Sequence, residues 1–137
     1  MKINYDRAMF GESDRAGLGV VIRSCEGQVV ATLSEQIAKP PTVEILELLA
    51  ARRAVFFSAE LGHTQCVCEG DSQSMVNALK GSGMDHSSGG HLILDILSHS
   101  NSFQSISFAH VGRQGNAVAL AQRARSSLST QIWLECV

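Results

Sequence analysis

Pro40 and Pro41 divide the chain into two kinds of pattern, and that division limits what it can fold into. Neither proline has an N–H to give to a strand ladder, so a strand that reaches them stops. Upstream of them, apolar residues alternate with a period of two. Residues 2–9 put Ile3 and Tyr5 on one face and Asn4, Asp6 and Ala8 on the other. Gly11 to Gly17 is a turn-rich connection. Gly17 to Arg23 (GLGVVIR) and Gln28 to Ser34 (QVVATLS) read as two further strands. They are joined by Ser24-Cys25-Glu26-Gly27, where Gly27 is free to take a positive φ. Strands linked in this way form an antiparallel meander.

Downstream, the period changes. Thr42 is placed to cap a helix that runs to about Leu61. Leu46, Leu49, Ala50, Arg53, Ala54 and Phe57 recur there at helical spacing, and Gly62 stops the run. Gln65 to Glu69 (QCVCE) is a short strand, too continuously apolar for a surface position. Asp71 or Ser72 caps a helix to about Leu79. Residues 81–90 (GSGMDHSSGG) read as an internal loop, and His91 to Leu97 as a short amphipathic helix. From Gln104 to Val111, Ile106, Phe108 and His110 alternate with Ser105, Ser107 and Ala109 in a last strand. Asn116 to about Ser127 is a polar, Ala-rich helix, and the tail QIWLECV packs back on the body. The order is βββ-α-β-α-α-β-α. Helical crossovers imply parallel strands. The expected fold is α/β, a mixed five-stranded sheet with three antiparallel strands, then two parallel ones, and helices on its faces.

A length of 137 residues fits one domain spanning 1–137. About 68% of the unfolded surface is buried at this size, so the core needs no disulfide or metal staple. With 45% hydrophobic and 18% charged residues, collagen, coiled coil and wholesale disorder are excluded. The apolar runs are far shorter than a membrane span, and MKINYDRAMF has no apolar signal core. The expectation is an intracellular chain with no membrane partner, in the nucleus or the cytoplasm. Cys25, Cys66, Cys68 and Cys136 form no Cys-x-x-Cys pair and read as free thiols. A net charge of −2 does not suggest a polybasic nucleic-acid binder, although local patches matter more than the sum.

The acids are more informative. Asp6 lies in the first strand and Asp71 just beyond the fourth. If those strands pair in parallel, both carboxylates approach the carboxyl end of the sheet, where ligands gather in α/β folds. Burying an unpaired Asp is costly, and a metal ion would resolve the conflict. The long helix adds Glu44 and Glu47, one turn apart. Grouped carboxylates suit Mg²⁺, a hard ion with oxygen ligands. Two such ions about 3.5–4 Å apart serve phosphodiester cleavage. Taken singly, Asp6 reads equally as an edge residue, Asp71 as an N-cap and Glu47 as a solvated helix position.

Five segments in order extend this reading. KINYDRA, GLGVVIRSCEGQVVATLS, VEILELLAARRAVFFSAELG, CVCEGDSQSMVNAL and FAHVGRQGNAVA resemble successive parts of the ribonuclease H type-1 domain. The likeness is greatest to the retroelement-derived, reverse-transcriptase-associated version common in plants, and it covers essentially the whole chain. It implies that Asp6, Glu47 and Asp71 are catalytic and hold Mg²⁺ or Mn²⁺, with two ions at the site and no small-molecule cofactor. The register of LLAARRAV selects Glu47 over Glu44. It implies that His110 assists proton transfer or product release, and that Gln73, Arg113 and Asn116 contact nucleic acid. The implied partner is an RNA–DNA hybrid whose RNA strand is cut, read through the minor groove and the 2′-OH.

The sequence also departs from that pattern. Where the family has a fourth metal-site residue, an ungapped count gives Leu120; a two-residue deletion is the alternative, and it would turn the last helix by roughly 200°. Either way the second ion is expected to bind weakly and activity to be reduced. Arg7 stands in place of the usual Gly after the first Asp, and Gly112 in place of a frequent basic residue. Binding is therefore expected to be weak and salt-sensitive. Two rival readings follow: a catalytically degenerate nucleic-acid-binding relic, resting on Leu120 and Arg7, and a protein-interaction module on the same fold.

Overall fold

The structure is a computed structural model, and it describes residues 1–10, 14–81, 89–113 and 131–134. Strands β1 (Lys2–Met9), β2 (Arg15–Arg23) and β3 (Val29–Ala38) form the expected antiparallel meander. The turn between β2 and β3 closes through Gly27 N–H to the Ser24 carbonyl at 2.9 Å, with Gly27 at φ +86°. β2 and β3 run longer than their alternation suggested, because their ladder persists out to the Arg15–Ala38 pair beside the prolines.

Helix α1 (Val43–Glu60) begins where expected: the Thr42 hydroxyl accepts from Ile45 N–H at 3.1 Å. It lies across β1 and β2 and buries Leu46, Leu48, Ala50, Ala54, Val55 and Phe57. Against it, β1 to β3 present Ile3, Tyr5, Leu18, Val20, Ile22 and Leu33, which with the helix residues form one continuous apolar core.

Strand β4 (Gln65–Gly70) then enters parallel to β1, and β5 (Ser105–His110) parallel to β4. Between them come α2 (Gln73–Leu79) and α3 (Gly90–Ser100). α3 is longer than the expected 91–97 and is tied to α1 by Arg52 Nε on Asp95 Oδ2 at 2.6 Å. The sequence-predicted helix from Asn116 to Ser127 lies outside the described residues, as does most of the 81–90 loop.

The strand order is β5-β4-β1-β2-β3, with one addition. Part of the tail forms β6 (Gln131–Leu134), antiparallel to Ala31–Ser34 on the outer side of β3. This is how the tail returns to the body. The open edge of β3 carries unpaired N–H and C=O groups, and a short strand satisfies them.

Candidate active site

The site follows from the parallel half of the sheet. β1 and β4 pair with Lys2 opposite Val67 and Asn4 opposite Glu69. Carrying that register two residues further sets Asp6 level with Asp71. β5 continues the series, because His110 is paired with Gly70. Asp6 within β1, Asp71 just past β4 and His110 at the end of β5 are thus brought toward the carboxyl edge of the parallel strands.

Gly70 permits this close approach. The buried Tyr5 ring lies over it, so that a Cβ there would stand 2.5 Å from the Tyr5 hydroxyl oxygen. Tyr5 and Gly70 immediately precede the two aspartates. Burial pushes the Tyr5 phenol well above its ordinary range, and the charges of Cys68, Glu47 and Asp71 push the same way.

Helix α1 supplies the third acid from its first buried turn. Glu47 is 3% exposed, and Asp6 is 4% exposed. Glu44 is exposed, whereas Glu47 lies on the helix face that turns inward. The Glu47 carboxyl is pushed up to about 7, first by burial and then by the charge of Asp71. Arg7 opposes the shift and Asp6 adds to it. Glu47 therefore feels both aspartates.

Arg7 is the residue whose part the sequence did not disclose. Its backbone N–H donates to Asp6 Oδ1 at 2.8 Å, and its Nε lies 3.3 Å from Glu47 Oε2. The side chain that follows the first Asp is thus an ionic partner of the acid on α1. A basic residue next to a buried acid was the available signal.

Gln73 is exposed as the first residue of α2 and donates from Nε2 to Asn77 Oδ1 at 3.0 Å. His110 and Arg113 are exposed at and just beyond the end of β5. Asn116 and Leu120 lie outside the described residues.

Among the described residues, no three His, Cys, Asp or Glu side chains are gathered closely enough to form a ready-made metal cluster. The donor set nonetheless fits a hard cation. All three acids offer carboxylate oxygens, and Glu47 Oε1 is buried with no hydrogen-bond donor among the described residues. Mutual repulsion and an orphaned buried oxygen are both relieved by a positive charge.

Solved structures that share this architecture include ribonucleases H. The ribonuclease H1 of Halobacterium salinarum NRC-1 is 26% identical, with a TM-score of 0.78 over 88% of this chain and 91% of that one. LC11-RNase H1, solved in complex with an RNA/DNA hybrid, is 22% identical with a TM-score of 0.77, again over 88% and 91%. The N-terminal RNase H domain of a Mycobacterium tuberculosis protein is 22% identical with a TM-score of 0.74, over 86% and 87%. The fold is thus ribonuclease H-like, as the sequence resemblance implied. Residues 4–124 match the reverse transcriptase-like family, and the chain belongs to it. No curated protein matches it. Among the described residues, no helix is long and apolar enough to cross a membrane.

Proposed function

We propose that this chain, as a single domain, is a metal-dependent endonuclease that hydrolyses the RNA strand of RNA–DNA hybrids. The observation that carries the reading is the burial of two acids, Asp6 and Glu47, with Asp71 near enough for its charge to act on Glu47. Carried forward, the β1–β4 register sets Asp6 on β1 level with Asp71 just past the end of β4, and Glu47 is a buried glutamate that feels both.

Asp6, Glu47 and Asp71 would hold Mg²⁺ or Mn²⁺. When bound, such ions stabilise developing charge on a phosphate and make water a competent nucleophile at neutral pH. The protein's own part is orientation. The rigid ends of β1 and β4 fix two carboxylates, and the buried wall of α1 holds the third away from bulk water. His110, exposed beside Gly70, is free to take or give a proton at the edge of the site. Gln73 and Arg113 are exposed and would contact the backbone and minor groove of a bound hybrid. Family membership supports an origin in a retroelement protein.

The test is cleavage of a labelled RNA–DNA hybrid by the purified chain in Mg²⁺ and in Mn²⁺. Hybrid-specific cutting is expected, with Asp71→Asn and Glu47→Gln both reducing it to background. Glu44→Gln should retain it. Cutting that survives Asp71→Asn would point to a contaminating nuclease. No cutting by the folded wild type in either metal would overturn the enzymatic reading.

A further inference from the structure

We propose that the Arg7 guanidinium is a built-in counter-cation that competes with a divalent metal ion for Glu47. The inference rests on the reading of Asp6, Glu47 and Asp71 as the metal-holding set. One residue reaches both buried acids. The Arg7 backbone N–H donates to Asp6 Oδ1 at 2.8 Å, and its guanidinium stands 3.3 Å from Glu47 Oε2. In the metal-free protein, Arg7 partly neutralises a buried glutamate that would otherwise stand uncompensated among acids.

The geometry of the pair makes it displaceable. Arginine binds a carboxylate best through two parallel N–H bonds. Here Nε approaches Glu47 Oε2 at 3.3 Å, and its geometry falls short of a well-formed hydrogen bond. Among the described residues the far oxygen, Glu47 Oε1, also lacks a donor. Arg7 is 32% exposed against 3% for Glu47, so part of its side chain reaches solvent and gives it a way out, while Nε itself is buried at the pair. A dication carries twice the charge and coordinates oxygen directly. Metal and guanidinium therefore seek the same carboxylate, and Arg7 must give way.

Competition of this kind lowers apparent affinity by the fraction of molecules in which the site is open. If Arg7 covers Glu47 in about nine molecules of ten, removing its charge tightens metal binding about tenfold. Arg7 lies on β1 opposite Leu18, a position where Met or Gln keeps the strand.

The experiment is calorimetric titration of the wild type, Arg7→Met, Arg7→Gln, Arg7→Lys and Glu47→Gln with MgCl2 and with MnCl2, without nucleic acid. Circular dichroism confirms that each variant is folded. Arg7→Met and Arg7→Gln are expected to bind either ion about tenfold more tightly, and Arg7→Lys to return toward the wild type. On a Glu47→Gln background the gain should vanish. The increase in melting temperature on adding Mg²⁺ should likewise be larger for Arg7→Met than for the wild type. Equal affinity in the wild type and both neutral variants overturns the competition and leaves the metal site standing. Weaker binding in the neutral variants also overturns it, because Arg7 would then be holding Glu47 in place for the metal. Failure of every folded variant to bind either ion overturns the metal-site reading itself, and the competition with it.

Discussion

Gly70 sits beneath the Tyr5 ring at the point where the sheet delivers its two aspartates, and the space left there is too small for any side chain. A Cβ would meet the Tyr5 hydroxyl oxygen at 2.5 Å and Cζ at 2.6 Å. Tyr5 is fully buried, so the ring cannot swing aside. Overpacking of this kind typically costs about 1–3 kcal/mol. Gly70→Ala should therefore lower the unfolding free energy read from urea denaturation by that amount, and should cost less on a Tyr5→Val background, because the two changes act on one contact. If Gly70→Ala costs as much on the Tyr5→Val background as on the wild type, the crowding is not between these two residues. The same locality explains what could be read from the sequence. Asp6 was legible because a strand interior is a poor place for an unpaired acid, and Asp71 through the resemblance of the segment CVCEGDSQSMVNAL. The pairing of Tyr5 with Gly70, and of Arg7 with Glu47, was not. Each joins residues at least 40 positions apart and depends on which face of a strand or helix is turned inward.

Helix α1 shows how an element carries the site. Thr42 is extended, at φ −136° and ψ 158°, and its hydroxyl takes one of the donors that the first turn cannot satisfy internally. Glu47 lies just over one turn further on. Thr42→Ala should cost about 1 kcal/mol, read as a fall of a few degrees in melting temperature. Thr42→Ser should be near neutral, because the accepting oxygen is kept. A Thr42→Ala protein as stable as the wild type would show that packing against β1 and β2 fixes this end without the cap. The cap, the helix and the meander were all legible, since each has a local signature: a hydroxyl before a helical run, a period of 3.6, a period of two. β6 was not. Its partner is Ala31–Ser34, roughly a hundred residues away, and four residues are too few for a period to show. The outer length of β3 escaped for a related reason. Residues 35–38 continue as strand because β2 lies beside them, not because their own alternation demands it.

The assembled molecule draws its cohesion from the sheet and the helix laid across it, and β4 reports on both. It carries Cys66 and Cys68, buried at 4% and 0% exposure, while Cys25 is exposed in the β2–β3 turn. Burial raises the pKa of both strand thiols, and for Cys68 the charges of Cys66 and Glu69 raise it further. The reactive form is the thiolate. A thiol reagent should therefore label Cys25 quickly in the native protein, and reach Cys66 and Cys68 only through opening of the sheet. The linkage has a definite sign. A thiol whose pKa is higher in the folded state favours folding as long as the unfolded thiol keeps its proton, and that advantage declines once pH rises past the unfolded value of about 8.5. Stability should be level in this respect at pH 7 and fall between about pH 8.5 and 10. Urea denaturation across that range, with site-resolved labelling by mass spectrometry, checks both statements. Cys68→Ala should flatten the alkaline fall, at the cost of a small cavity between β1 and β5. If Cys66 and Cys68 are labelled as fast as Cys25, or if Cys68→Ala leaves the alkaline slope unchanged, then β4 is not the closed interior strand that holds Asp71 in register with Asp6.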